Sequence, residues 1–102
     1  MVTKDKNIHE NKSIFSRVMI KLSGEALLGN KEFGIDSDVV DKITKDIVSL
    51  AKANTEICIV VGGCNIFRGV AGASQGIERG TADSMGMLAT VINAMAIQNS
   101  IE

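Results

Sequence analysis

Read from the amino end, hydrophobic positions are sparse at first and then fall into distinct blocks. Residues 1–16 are mostly polar, with Lys4, Lys6 and Lys12 set against Asp5 and Glu10 and no sustained period. That pattern predicts a mobile leader, with order beginning near Arg17. Val18, Met19, Ile20 and Leu22 form an apolar run broken only by Lys21 and closed by Ser23-Gly24. This predicts a buried strand followed by a turn. Glu25 to Leu28 suits a helical turn, and Gly29 to Gly34 reads as a loop with a glycine at each end. Val39, Val40, Ile43, Ile47, Leu50 and Ala51 then recur at helical spacing behind Asp36, a good N-cap. Asp38 with Lys42 and Asp41 with Lys45 make acid-before-base pairs four apart on the outer face. The pattern predicts an amphipathic helix near 37–53, ended by Ala53-Asn54.

Ile57 to Val61 is a continuous apolar run rich in β-branched residues and bounded by Gly62-Gly63. A fully buried parallel strand has this pattern. Strand, helix and strand in this order predict a βαβ unit with a right-handed crossover. Residues 62–86 hold seven of the ten glycines and have little period before Thr81. From Ala82 to Ile101 a long helical pattern returns. Met85, Leu88, Val91, Ile92 and Met95 mark one face, while Ala89, Ala94 and Ala96 keep the other sides small. A helix this weakly polar is expected to pack on more than one side.

Composition narrows the class. The 102 residues are 45% hydrophobic and 23% charged, as in a folded domain. Trp and Tyr are absent and Phe occurs three times, which argues against an aromatic platform for single-stranded nucleic acid. A formal net charge of -1 argues against nucleic acid and anionic membrane as partners. Cys58 and Cys64 have neither zinc nor redox spacing, so a reducing compartment is the simpler reading. No apolar run is long enough to span a membrane and the first residues hold no secretory h-region, so a cytoplasmic setting is expected. Cys58 is expected in the core, His9 in solvent, and Met85, Met87 and Met95 in packing.

Open α/β sheets bind ligands at the carboxyl ends of their strands. Two such ends are visible, Lys21-Leu22-Ser23-Gly24 and Gly62-Gly63-Cys64-Asn65-Ile66-Phe67-Arg68-Gly69. Both place glycine where a strand gives way to a turn, which lets a backbone approach a ligand. N–H groups at such a turn suit an anion, and Lys21 and Arg68 add fixed positive charge. A phosphate-bearing ligand follows. The P-loop signature is excluded, because Asn30 separates Gly29 from Lys31 and no Ser or Thr follows that lysine. Gly62-Gly63-Cys64-Asn65 is not a dinucleotide fingerprint either.

The combination is more specific than its parts. Lys21-Leu22-Ser23-Gly24-Glu25-Ala26-Leu27 followed by Phe33-Gly34-Ile35-Asp36 resembles the start of bacterial uridylate (UMP) kinases. Gly62-Gly63 with Asn65-Ile66-Phe67-Arg68-Gly69 is similar to their second segment. Asp83, Met85-Gly86-Met87-Leu88-Ala89-Thr90-Val91 and Asn93 are similar to their third. The resemblance covers about residues 17–102 and implies the N-terminal part of a three-layer αβα sandwich, the amino-acid kinase fold, with a mainly parallel sheet. It implies transfer of the γ-phosphoryl group of ATP to UMP with Mg2+, whose ligands are expected outside this chain.

The resemblance also implies roles. Lys21 is the catalytic candidate, contacting the phosphoryl group in flight, where positioning and charge neutralisation carry the reaction. Lys21, Leu22, Ser23, Gly24, Cys64 and Arg68 are implied for ATP, and Gly62, Gly63, Arg68 and Asp83 for UMP. Arg68 would pair with phosphate oxygens in a forked geometry and Asp83 would accept from the ribose hydroxyls. Gly29, Asn30, Lys31, Glu32, Phe33 and Gly34 match the segment near an activating GTP site. UTP as inhibitor and a homo-hexamer are implied for the whole family. Plain alternatives stand beside these roles: a strand-end lysine in solvent, a surface arginine, an acid in the first turn of a helix, and a surface loop. Cys64 departs from the family, which has a third glycine there; a side chain at that position either crowds phosphate or is a tolerated small residue.

The rest of the family's length, including a second lysine and a magnesium-organising aspartate, follows the matched region. The isolated 102 residues are therefore expected to be inactive and marginally stable or self-associating. Two rival functions remain. One is a superfamily kinase with another acceptor, such as carbamate, an amino-acid carboxylate or isopentenyl phosphate. The other is a non-catalytic assembly or regulatory half-domain.

Overall fold

The computed structural model describes residues 15–67 and 75–102. The expected leader lies outside these residues apart from Phe15 and Ser16, and so does Arg68. Strand β1 (Arg17–Leu22) and strand β2 (Glu56–Val61) pair in parallel, from Arg17 opposite Glu56 to Leu22 opposite Val61. The ladder continues at both ends. Glu56 N donates to Ser16 O at 2.9 Å and Gly62 N donates to Leu22 O at 2.9 Å.

A 3-10 turn over Gly24–Leu27 follows β1. Helix α1 (Ser37–Lys52) forms the crossover to β2. Asp36 caps it as the sequence predicts, its carboxylate accepting from Asp38 N at 3.0 Å and Val39 N at 3.4 Å. Asn54 adopts positive φ just past its end, where an αL residue satisfies late helix carbonyls. Helix α2 (Arg79–Ile101) begins three residues earlier than the periodicity predicts.

The core lies on one face of the sheet. Ile20, Leu22, Leu27, Val40, Ile47 and Ile97 form its buried cluster, with Val18, Ile57, Ile59 and Val61 packed against it. Burying one such aliphatic side chain contributes about 1.5–3 kcal/mol. Alternation along the strands sends Met19, Lys21, Cys58 and Val60 to the opposite face, which is exposed. This corrects two expectations. Strand β2 is half-buried rather than fully buried, and Cys58 is an exposed free thiol rather than a core residue.

Helix α2 is turned differently from the expectation. Ala82, Ala89, Asn93 and Ile97 are its buried residues, while Met85, Met87, Leu88, Val91, Ile92 and Met95 are exposed. The side carrying Ala82, Ala89 and Asn93 faces the rest of the domain, where the chain approaches it closely, while Ala94 is exposed. A Cβ added at Gly63 would stand 2.8 Å from Ala89 Cβ and 2.9 Å from Thr90 N. Farther along, Ser100 Oγ lies 2.6 Å from Thr44 Oγ1 and donates to Asp41 Oδ1 at 2.8 Å, pinning α2 to α1. Asp41 thus faces Ser100, and the expected Asp38–Lys42 and Asp41–Lys45 pairs are not among the ion pairs of the described residues.

Candidate functional site

The site is built where the two parallel strands end. Beyond Leu22 the chain turns at Ser23-Gly24, and beyond Val61 it turns at Gly62–Phe67, where Ile66 N and Phe67 N both donate to Gly63 O at 3.0 Å. The two turns touch. A Cβ at Gly24 would lie 2.6 Å from Asn65 Oδ1 and 2.6 Å from Cys64 N, so only glycine allows this approach. A Cβ at Gly62 would meet Gly24 N at 3.4 Å, an ordinary contact. The parallel ladder therefore brings Leu22, Ser23, Gly24, Gly62, Gly63 and Cys64 into one place, although the two segments are some forty residues apart in the chain.

The placement of each candidate is specific. Lys21 stands in register with Val60 on the open face, exposed and without an ion pair among the described residues. Leu22 buries its side chain in the core, and its carbonyl receives Gly62 N, so it contributes backbone rather than chemistry. Ser23 is extended, with no side-chain capping bond to the 3-10 turn. Gly63 points its missing side chain at α2, so its hydrogen atom makes room for the helix. Cys64 is half-buried, and its φ is not positive, so the residue that replaces the usual glycine needs no strained backbone.

Asp83 lies in the second turn of α2 rather than the first, because the helix begins at Arg79. Its carboxylate is exposed and accepts from Arg79 Nε at 3.1 Å. It sits six residues before Ala89, about 9 Å along the axis from the Gly63 contact. The segment from Gly29 to Gly34 closes onto the β2 turn. Gly34 N donates to Asn65 O at 2.9 Å, and Lys31 Nζ donates to Ile35 O at 3.1 Å. Asn30, Glu32 and Phe33 are exposed along it. No group of three or more His, Cys, Asp or Glu among the described residues is placed to hold a metal ion, so no residue here is assigned to Mg2+. Among the described residues no helix is long and apolar enough to cross a membrane.

Sequence reasoning missed the importance of two residues. Asn65 and Asn93 are buried beneath the turns and hydrogen-bonded to each other. The available signal was an asparagine inside an otherwise apolar stretch of helix, where a polar group is tolerated only if it is satisfied.

Residues 16–102 match the sequence profile of the Amino acid kinase family. The uridylate kinase of Paramagnetospirillum magneticum is 54% identical over 88 residues, covering 86% of this chain and 37% of that protein. The uridylate kinase of Hyphomonas neptunium is 55% identical over 92 residues, covering 90% of this chain and 37% of that protein. Among solved structures, UMP kinase from Bacillus anthracis superposes with a TM-score of 0.77 at 38% identity, over 85% of this chain and 36% of that one. UMP kinase from Ureaplasma parvum gives 0.76 at 35% identity, over 86% and 37%. The chain thus spans little more than a third of the length of these relatives. Paired parallel strands, a helical crossover and glycine turns in contact at the strand ends agree with that likeness: the chain belongs to the amino acid kinase family, and its relatives are uridylate kinases.

Proposed function

We propose that this chain is the nucleotide-phosphate-holding part of a uridylate kinase, which transfers the γ-phosphoryl group of ATP to UMP and yields UDP and ADP in pyrimidine nucleotide biosynthesis. The observation that carries this reading is the contact between Ser23-Gly24 and Gly62–Cys64 at the strand ends. Backbone N–H groups gathered at such a turn are suited to phosphate oxygens. Ser23, Gly24 and Cys64 serve the ATP phosphates, and Gly62 and Gly63 line the UMP side. Lys21 neutralises charge on the transferring group, and Arg68 forks onto phosphate oxygens. Asp83 accepts from the UMP ribose, exchanging its exposed bond with Arg79 for one to a hydroxyl. Mg2+, when bound, would supply charge neutralisation on the ATP phosphates, with its ligands expected outside this chain.

GTP acting on Gly29–Gly34, inhibition by UTP, a homo-oligomer and a cytoplasmic location complete the proposal. The 102-residue chain alone forms negligible UDP. Calorimetric titration of this chain with UMP, ATP and GTP tests the reading. UMP binding that is lost in Asp83→Ala supports it; UDP formation above that of Lys21→Ala refutes the inactivity of the isolated chain. A second reading, a non-catalytic assembly module, draws on the exposed apolar residues of α2, where Met87 is 68% exposed and Leu88 and Met95 are each 63% exposed. A chain that binds no nucleotide but forms a defined oligomer favours that second reading.

A further inference from the structure

Asn65 and Asn93 bury their amides face to face, with 3% and 0% of their surfaces exposed. Asn93 Nδ2 donates to Asn65 Oδ1 at 2.7 Å, and Asn65 Nδ2 donates to Asn93 Oδ1 at 3.2 Å. A primary amide carries two N–H donors. The second donor of Asn65 goes to Gly34 O at 2.9 Å and the second of Asn93 to Gly62 O at 2.7 Å. All four donors are therefore used, and the two that leave the pair reach different segments. Asn65 grips Gly34 twice, since its main-chain oxygen also accepts from Gly34 N at 2.9 Å. Its Oδ1 is also one of the atoms against which Gly24 is pressed. No buried side-chain nitrogen or oxygen of the described residues lacks a partner.

One amide pair thus ties Gly34 before α1, Gly62 after β2 and the middle of α2 together by hydrogen bonds, and Gly24 after β1 packs against it. Filling a core does not require this arrangement, because two leucines have similar branching and no polar atoms. A fully satisfied buried network instead supplies direction, holding one arrangement out of several of similar packing. Direction matters where backbone N–H groups must meet an anion, because a misplacement of about 1 Å in such a site can cost on the order of a hundredfold.

We propose that Asn65 and Asn93 are positioning residues, whose paired amides set the spacing of the Ser23-Gly24 and Gly62–Cys64 backbone that receives nucleotide phosphate. The inference rests on the reading of those turns as the phosphate site. The test replaces both residues in the 102-residue chain, Asn65→Leu with Asn93→Leu. It follows thermal unfolding, backbone amide resonances and calorimetric binding of UMP and ATP. The expected result is a folded variant whose Gly24, Gly34 and Cys64 amide resonances move. Its Gly34 N–H exchanges at least tenfold faster, and its dissociation constant for UMP or ATP rises at least tenfold. Should the double variant fail to fold, Asn93→Ser, which keeps Asn65 and loses only the bridging amide, is read the same way. Unmoved resonances with affinities within twofold of the parent overturn the proposal and leave the pair as packing. A parent chain that binds neither nucleotide overturns the reading of the turns, an outcome distinct from a parent and a variant that bind equally well.

Discussion

Replacing Gly24 by alanine probes the close approach of the two strand-end turns. The added Cβ would lie 2.6 Å from both Asn65 Oδ1 and Cys64 N, about 0.8 Å inside the 3.4 Å at which ordinary contact begins. Neither neighbour is the free end of a flexible side chain. Cys64 N is backbone, and Asn65 is held by Gly34 and Asn93. Overpacking of this kind costs about 1–3 kcal/mol. Swinging the Asn65 amide away would forfeit hydrogen bonds worth about 1 kcal/mol each. The unfolded-state entropy removed by Gly→Ala returns about 0.4–1 kcal/mol. The net expectation is a loss of about 2–3 kcal/mol, roughly a 30- to 150-fold shift in the folding equilibrium. Gly86→Ala is the matched control. It lies inside α2 with nothing within 4 Å of its added Cβ, so it should gain about 0.5–1 kcal/mol. Urea unfolding followed by far-ultraviolet circular dichroism measures both. A Gly24→Ala midpoint indistinguishable from the parent, or a Gly86→Ala midpoint that falls as far, would refute the close-approach argument.

Asp36→Ala removes the carboxylate that caps α1 and should lower stability by about 1 kcal/mol, read from the same unfolding curves. Asp83→Ala breaks an exposed ion pair worth at most about 1 kcal/mol, so thermal unfolding should barely move while calorimetric UMP binding is lost. Lys21→Ala leaves the core intact because its side chain is exposed. It should weaken ATP binding by about tenfold or more, since a hydrogen bond to a charged group is worth about 1.5–3 kcal/mol. Equal ATP affinity in parent and variant would remove Lys21 from the site.

Local structure was legible where one residue type has one dominant physical use. The Asp36 cap, the 3.6-residue period of α1 and the β-branched run before Gly62 each led to the right element. The turns of the candidate site were legible as motifs, Ser23-Gly24 and Gly62 to Asn65, because glycine at a strand end is a local requirement. The orientation of α2 was not legible. Its large apolar residues suggested a packed face, yet Gly63 needs the small surface of Ala89 and Thr90. Size complementarity between two distant segments leaves no period in either. The fate of Cys58 was hidden for a related reason: a strand covered on one face and a strand covered on both can carry the same apolar run.

The sequence by itself determined the order of elements, the parallel pairing implied by a helical crossover, and the glycine turns at the strand ends, because each depends on residues near one another in the chain. Only the tertiary structure decided which side of α2 faces the domain, that Asp41 faces Ser100, and that Asn65 and Asn93 form one closed amide pair. Those outcomes depend on contacts between segments 26 or more residues apart in the chain: size at Gly63 and Ala89, an exposed hydroxyl–carboxylate bond at Ser100 and Asp41, and a buried amide pair whose satisfaction is a property of its surroundings rather than of its position in the sequence.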